Sequence, residues 1–262
     1  MTPDRVESPR VGCVKYLNAQ PLIHGWPGPA TFDYPSTLCR QLAAAELDIA
    51  LVSAFEFLRN PIYSIVDDVA VASNGAVYSV FVAYNGSVAD IEEIALDPAS
   101  STSANLLRCL LAEAGLKPRL RADAAVASGG VPAGSAKLMI GDQAIRFRES
   151  YSDDYSFWDL GAEWKRATGL PFVFALWLIR PEVEEAAILA EQLRALRDAN
   201  LKALENVIAA QKDFSPEFCA TYFRDFLRFH LAEPEKKGLL LFRSLCQKHG
   251  ILPPKVAPLR LA

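Results

Sequence analysis

Four hydroxyl side chains in succession, Ser100-Ser101-Thr102-Ser103, separate an apolar run from a segment that carries Leu106, Leu107, Leu110 and Leu111 at helical spacing. A strand-to-helix turn of that composition presents amides and hydroxyls at a helix N-terminus, a combination that holds anions. An ordinary helix cap needs one such residue, and four exceed that need. Asn18 follows a second apolar run, Val11 to Val14, and stands three residues before Pro21. Its neutral amide both donates and accepts hydrogen bonds, which suits holding a polar small molecule in a fixed pose at a strand end. Asn also forms turns for purely local reasons, and Pro21 biases the residue before it toward extended or turn geometry. Ser79 lies within Val77-Tyr78-Ser79-Val80-Phe81, just after Asn74-Gly75, a tight-turn signal that would expose backbone amides. Gly141 ends the run from Ala136 to Ile140, and its amide can approach a ligand closely. Asp142 beside it could cap a helix, pair with Arg146 or Arg148, or accept a substrate hydroxyl, and the structural roles are favoured because an anionic substrate would repel a bare carboxylate.

The types that carry other chemistries are scattered. His24, His230 and His249 form no pair, and Cys13, Cys39, Cys109, Cys219 and Cys246 show no metal or redox spacing. No His-Glu-x-x-His, glycine-rich phosphate loop or nucleophile elbow occurs. Metal, nucleotide and hydrolase chemistries are therefore disfavoured, and no cofactor is expected.

Alternating strand-like and helix-like segments must position these residues. Strands are expected at Val11 to Val14, Thr31 to Tyr34, Ile49 to Val52, Ala76 to Tyr84, Ile94 to Leu96, Ala136 to Ile140 and Phe172 to Ile179. Pro35-Ser36-Thr37 starts one amphipathic helix and the four hydroxyls start another. From Pro181 to about Gln211 the Ala-, Leu- and Glu-rich sequence predicts one long helix, with further helices at Glu217 to His230 and Glu233 to His249. Trp158, Trp164 and Trp177 read as core or interface anchors.

Several of these segments resemble one family. Tyr16-Leu17-Asn18-Ala19-Gln20-Pro21-Leu22 is similar to the opening of the chorismate dehydratases of menaquinone biosynthesis by the futalosine route. Leu47 to Val52, Leu96 to Ser103, Gly141 to Ala144, Asp159 to Trp164 and Thr168 to Ala175 agree in order and spacing. The resemblance implies an α/β, two-lobed type II periplasmic-binding-protein-like fold with a helical C-terminal tail. One lobe would comprise residues 1–85 and 175–262, the other residues 86–174, with the ligand cleft between them. It implies a hydro-lyase that converts chorismate to 3-[(1-carboxyvinyl)oxy]benzoate and water. Asn18 and Ser79 would be catalytic, and Ser53, Gly75, Ser100, Ser101, Thr102, Ser103 and Gly141 would bind substrate. This chain departs from the family pattern Ser-Arg-Thr-Ser, with Ser101 in place of Arg.

Composition sets the remaining bounds. The 262 residues are 51% hydrophobic and carry a net charge of −4. A nucleic-acid surface is not expected, because no basic stripe with interleaved aromatics occurs. Residues 1–10 have no apolar core, and no apolar run reaches about 18 residues, so the expectation is a cytoplasmic protein without a membrane anchor. An odd number of dispersed cysteines fits a reducing compartment. The expected partner is a small-molecule carboxylate, chorismate or similar. Two alternatives stand beside the dehydratase: a non-catalytic cytoplasmic small-carboxylate-binding protein of the same fold, and the sister enzyme acting on a dehypoxanthine futalosine derivative.

Overall fold

A computed structural model describes residues 8–122, 134–254 and 258–262. The first half runs β1 (Val11–Val14), a 3-10 turn at Leu17–Ala19, α1 (Gln20–Ile23), β2 (Ala30–Asp33), α2 (Pro35–Ala43), β3 (Ile49–Ser53), α3 (Ala54–Arg59) and β4 (Ser64–Ser73). Next come β5 (Val80–Tyr84), β6 (Glu93–Leu96), α4 (Ser101–Glu113), β7 (Arg119–Ala122), β8 (Ser135–Ile140), α5 (Gly141–Ser150), β9 (Ser156–Asp159) and α6 (Leu160–Thr168). The chain returns through β10 (Phe172–Ile179) to α7 (Ala186–Lys202), α8 (Leu204–Ala209), α9 (Pro216–Thr221) and α10 (Glu233–Lys248).

Two five-stranded mixed sheets result, ordered β2-β1-β3-β10-β4 and β7-β6-β8-β5-β9. In the first, β1 lies parallel to β2 and β3, while β10 runs antiparallel between β3 and β4. In the second, β6 lies parallel to β7 and β8, while β5 runs antiparallel between β8 and β9. The two sheets repeat one plan. In each, the carboxyl ends of two adjacent parallel strands carry the candidate site residues, at the edge where such sheets bind ligands. Every residue of β3 is buried, as expected of a parallel strand covered on both faces.

The expected strand from Ala76 to Tyr84 is shorter. Only Val80–Tyr84 is extended, and it pairs within the second sheet rather than completing the first. The residues before it form a bent connection in which Tyr78 holds a left-handed φ of 67°, unusual for a bulky residue. Asp159 fixes this bend. Its buried carboxylate accepts the Val77 amide at 3.1 Å, the Tyr78 amide at 2.8 Å and the Ala162 amide, capping α6, at 2.9 Å. Gly161 is required beside it, since a Cβ there would meet the Gly75 carbonyl oxygen at 2.5 Å. The Asp159-Leu160-Gly161 segment therefore reads physically as the clasp of the crossing.

The tail also differs from expectation. Residues 181–185 are turn, the helix starts at Ala186, and it breaks at Ala203 (φ −114°, ψ 42°); nothing in the local sequence explains the break. After α9 comes a π-helical turn, Tyr222–Phe226, and then extended chain instead of helix to His230. That chain covers the edge strand β4 by reciprocal Ala72–Arg228 hydrogen bonds of 2.9 and 2.8 Å, which blunts an edge otherwise open to pairing. Trp164 and Trp177 are buried as expected. Cys109 on α4 and Cys246 on α10, 137 residues apart, place their thiol sulfurs 3.7 Å from each other. Among the described residues no helix is long and apolar enough to cross a membrane.

Candidate active site

Asn18 sits in the 3-10 turn that follows β1. Gln20 is helical (φ −56°, ψ −41°), against the usual bias before proline, because the turn runs directly into α1. Pro21 then occupies the first turn of α1, where its missing N–H costs nothing. Opposite stands the start of α5. The Asp142 carboxylate accepts the Leu17 amide at 2.8 Å, and the Tyr16 ring lies against Gly141, where a Cβ would meet ring carbons at 2.8 Å. Gly141 also adopts a φ of 64°, so glycine is required there twice over.

The hydroxyl cluster closes the other side. Ser100 caps α4, its Oγ accepting the Ser103 amide at 3.3 Å and lying 3.2 Å from the Ser103 Oγ. The Ser53 Oγ, at the end of β3, is 3.5 Å from the Ser100 Oγ. The Thr102 hydroxyl accepts the Phe55 amide at 3.0 Å and ties α4 to α3. Asp97 braces the turn before α4 by accepting from the Ala99 amide at 2.8 Å and from the Gln143 side chain at 2.6 Å.

Asn18, Ser53, Ser100, Ser103 and Gly141 thus line one pocket, together with Tyr16, Val14, Pro35, Val80, Ile140, Phe174 and Ala175. The space enclosed is only about 40 Å³, against roughly 300–1,000 Å³ for small-molecule sites. At that volume a ring-sized ligand fits only if the walls move apart. The other four expected site residues lie elsewhere. Ser79 is fully buried, and its Oγ accepts the Tyr222 hydroxyl at 2.6 Å. Gly75 is part of the bent crossing, where its carbonyl accepts the Ser73 hydroxyl. Thr102 is buried in its tie to Phe55. Ser101 faces an adjoining cavity of about 390 Å³ that it shares with Ser36, Arg40, Arg59 and Asp97. A cavity of similar size, about 380 Å³, lies at the β10–α7 connection around Arg180 and Glu182 and shares no residue with the pocket.

Sequence reasoning missed Tyr16, Phe174 and Ala175 as pocket walls, although all three fall in the quoted segments. It missed Tyr222 altogether, for no local signal marks it. Among the described residues, no group of three or more His, Cys, Asp or Glu side chains is placed to hold a metal ion.

Electrostatics concentrate at Asp142. Burial raises its pKa from the ordinary 3.8 to about 6, with Asp213 adding to the rise, while the Leu17 amide, Arg146 and Lys15 pull it down. A raised carboxyl pKa means that the folded protein binds this proton more tightly than the unfolded chain. Its contribution is therefore most favourable below about pH 4 and is lost as pH rises through about 6, by an amount on the order of 3 kcal/mol. Asp142→Asn keeps an acceptor for Leu17 and carries no charge. The variant should be more stable than wild type in urea at about pH 7.5, with the advantage gone near pH 4. A difference constant across that range would contradict this assignment.

Two α/β lobes with a pocket of mixed polar and apolar walls at their strand ends define the periplasmic-binding-protein class of fold. Solved structures agree. A protein from Archaeoglobus fulgidus superposes with a TM-score of 0.70 at 18% identity, covering 93% of this chain and 98% of that one. The aliphatic sulphonate binding protein of Escherichia coli gives 0.64 at 14% identity, covering 95% and 94%. More narrowly, residues 9–248 match the profile of the family described as menaquinone biosynthesis, and the chain belongs to that family. The chorismate dehydratase of Thermus thermophilus is 31% identical over 258 residues, covering 88% of this chain and 93% of the relative. The chorismate dehydratase of Campylobacter jejuni is 28% identical over 240 residues, covering 88% and 91%.

Proposed function

We propose that this protein is a cytoplasmic chorismate dehydratase of the futalosine route, forming 3-[(1-carboxyvinyl)oxy]benzoate and water. The observation that carries the reading is the neutrality of the pocket lining. It holds hydroxyls, an amide, glycine and apolar walls, with no His, Lys, Arg, Asp or Glu. Tyr16 is the one titratable group, and burial pushes its hydroxyl above the ordinary phenol pKa of 10, so it supplies no base. A substrate that carries its own base fits such a site.

Chorismate does so. Water is lost when the ether-bearing ring carbon gives up its proton and the neighbouring carbon gives up its hydroxyl, which makes the ring aromatic. The substrate's side-chain carboxylate is the proton acceptor in this scheme. Charge developing on the ring is conjugated to the ring carboxylate. Donors at the head of α4, where the Ser101 and Thr102 amides have no preceding intrahelical acceptor, stabilise that charge. Asn18 orients the side chain for intramolecular transfer, a gain of geometry rather than of basicity. Ser79, which keeps one donor while accepting from Tyr222, assists departure of the ring hydroxyl when the lobes rearrange around substrate.

The test is incubation of purified protein with chorismate, followed by ultraviolet absorbance and isolation of the aromatic product. Turnover is expected without added metal or nucleotide and in the presence of a chelator. Loss with chelator and return with a divalent ion would refute the mechanism. Tight chorismate binding without turnover would favour the carboxylate-binding alternative.

A further inference from the structure

Tyr16 has no part in the scheme above, yet it is the least settled side chain in the pocket. It is 6% exposed, its ring is pinned between Gly141 and the edge of Tyr34, and its hydroxyl is buried without a hydrogen-bond partner. Buried hydroxyls are almost always paired, and an unpaired one destabilises the fold. The Asn18 Oδ1 lines the same pocket and is likewise buried and unpaired. The amide oxygen can only accept, whereas the phenol can donate. Both are satisfied together by a ligand that brings one donor and one acceptor.

The acceptor can be narrowed. The pocket lining contains no cation, so within it a ligand carboxylate meets neutral donors. The Ser100 hydroxyl lies 3.5 Å from that of Ser53 and 3.2 Å from that of Ser103, so each of the three has a hydroxyl neighbour. Tyr16 is the lining hydroxyl that is buried with no partner at all. Its charged neighbours, Asp97 and Asp142, accept from Gln143 and Leu17 and leave it unbonded. Burial above all, and then those charges, keep the phenol protonated.

We infer that the Tyr16 hydroxyl is a substrate-contacting donor to a carboxylate oxygen of a cyclic dicarboxylate, while the Asn18 carbonyl accepts from that ligand's hydroxyl. The inference deepens the dehydratase reading and rests on its dicarboxylate substrate.

Tyr16→Phe removes one oxygen and keeps the ring that packs on Gly141. Chorismate turnover by the wild type tests the functional reading. Calorimetric titration with isophthalate, an unreactive aromatic dicarboxylate, tests Tyr16 independently of turnover. The variant should bind isophthalate roughly 10- to 100-fold more weakly and yet melt about 2–6 °C higher in the absence of ligand, because the unpaired hydroxyl is gone. Tyr34→Phe, at the exposed neighbour, should change neither quantity. Equal affinity in Tyr16→Phe overturns the inference. Weaker binding with a lower melting temperature also overturns it, since that pairing is the mark of a structural hydroxyl. Failure of the wild type to bind isophthalate overturns the carboxylate assignment.

Discussion

Asn18→Ala should lower chorismate turnover by roughly 10²- to 10³-fold, the loss seen when one well-placed polar group at a reacting centre is removed. The fold should not suffer. Asn18 lies in a 3-10 turn whose closing bond is backbone, from the Ala19 amide to the Tyr16 carbonyl at 3.1 Å. Its side-chain oxygen has no protein partner to lose. Asn18→Asp keeps the shape, but it replaces the donor with a charge facing a dianionic substrate. It should be equally inactive and fully folded. Kinetics with thermal melts on both variants check the claim. Wild-type turnover in Asn18→Ala would return Asn18 to a plain turn residue before Pro21.

Gly141→Ala should be the more damaging change to closure, cutting kcat/KM by about 10²-fold or more. A left-handed φ costs a non-glycine residue roughly 1–2 kcal/mol. The larger cost is steric, since the new methyl would sit 2.8 Å from the Tyr16 ring, itself buried and unable to swing away. Relief comes by parting the lobes, which also breaks the adjacent Leu17–Asp142 hydrogen bond and dismantles the pocket. Gly169 supplies the control. It has a similar φ of 74°, but nothing lies within 4 Å of its Cβ position. Gly169→Ala should lose about 1–2 kcal/mol in urea denaturation and keep its activity. Equal kinetics in the two variants would show that Gly141 matters only for its backbone.

The strands that carry this candidate site were legible as strong local signals, whereas the choice of Asn18 and Ser53 came from the family resemblance. Val11–Val14, Ile49–Ser53, Ser135–Ile140 and the head of α4 each deliver a polar or small residue to the pocket. Other features depend on partners far away in the chain. Ser79 is marked as a site residue by the family resemblance, and its hydrogen bond with Tyr222, 143 positions on, has no local signal. The residues before it resemble a strand, because β-branched and aromatic types favour extended chain. The left-handed Tyr78 is imposed by Asp159, about 80 positions on, and no local pattern encodes that. The Cys109–Cys246 approach was likewise invisible to a search for short spacings.

The strand exchange has a consequence for biogenesis. The second sheet draws all its strands from Val80 to Asp159, so it is complete as soon as that stretch has emerged from the ribosome. The first sheet is different: β10 belongs between β3 and β4, and it is made only after the whole second lobe. During synthesis β3 and β4 therefore wait without their shared partner, with two apolar edges exposed for the time taken to translate about a hundred residues, several seconds at roughly 5–20 residues per second. The N-terminal half of the protein is thus the last to finish folding, and aggregation during expression is to be sought at β3 and β4.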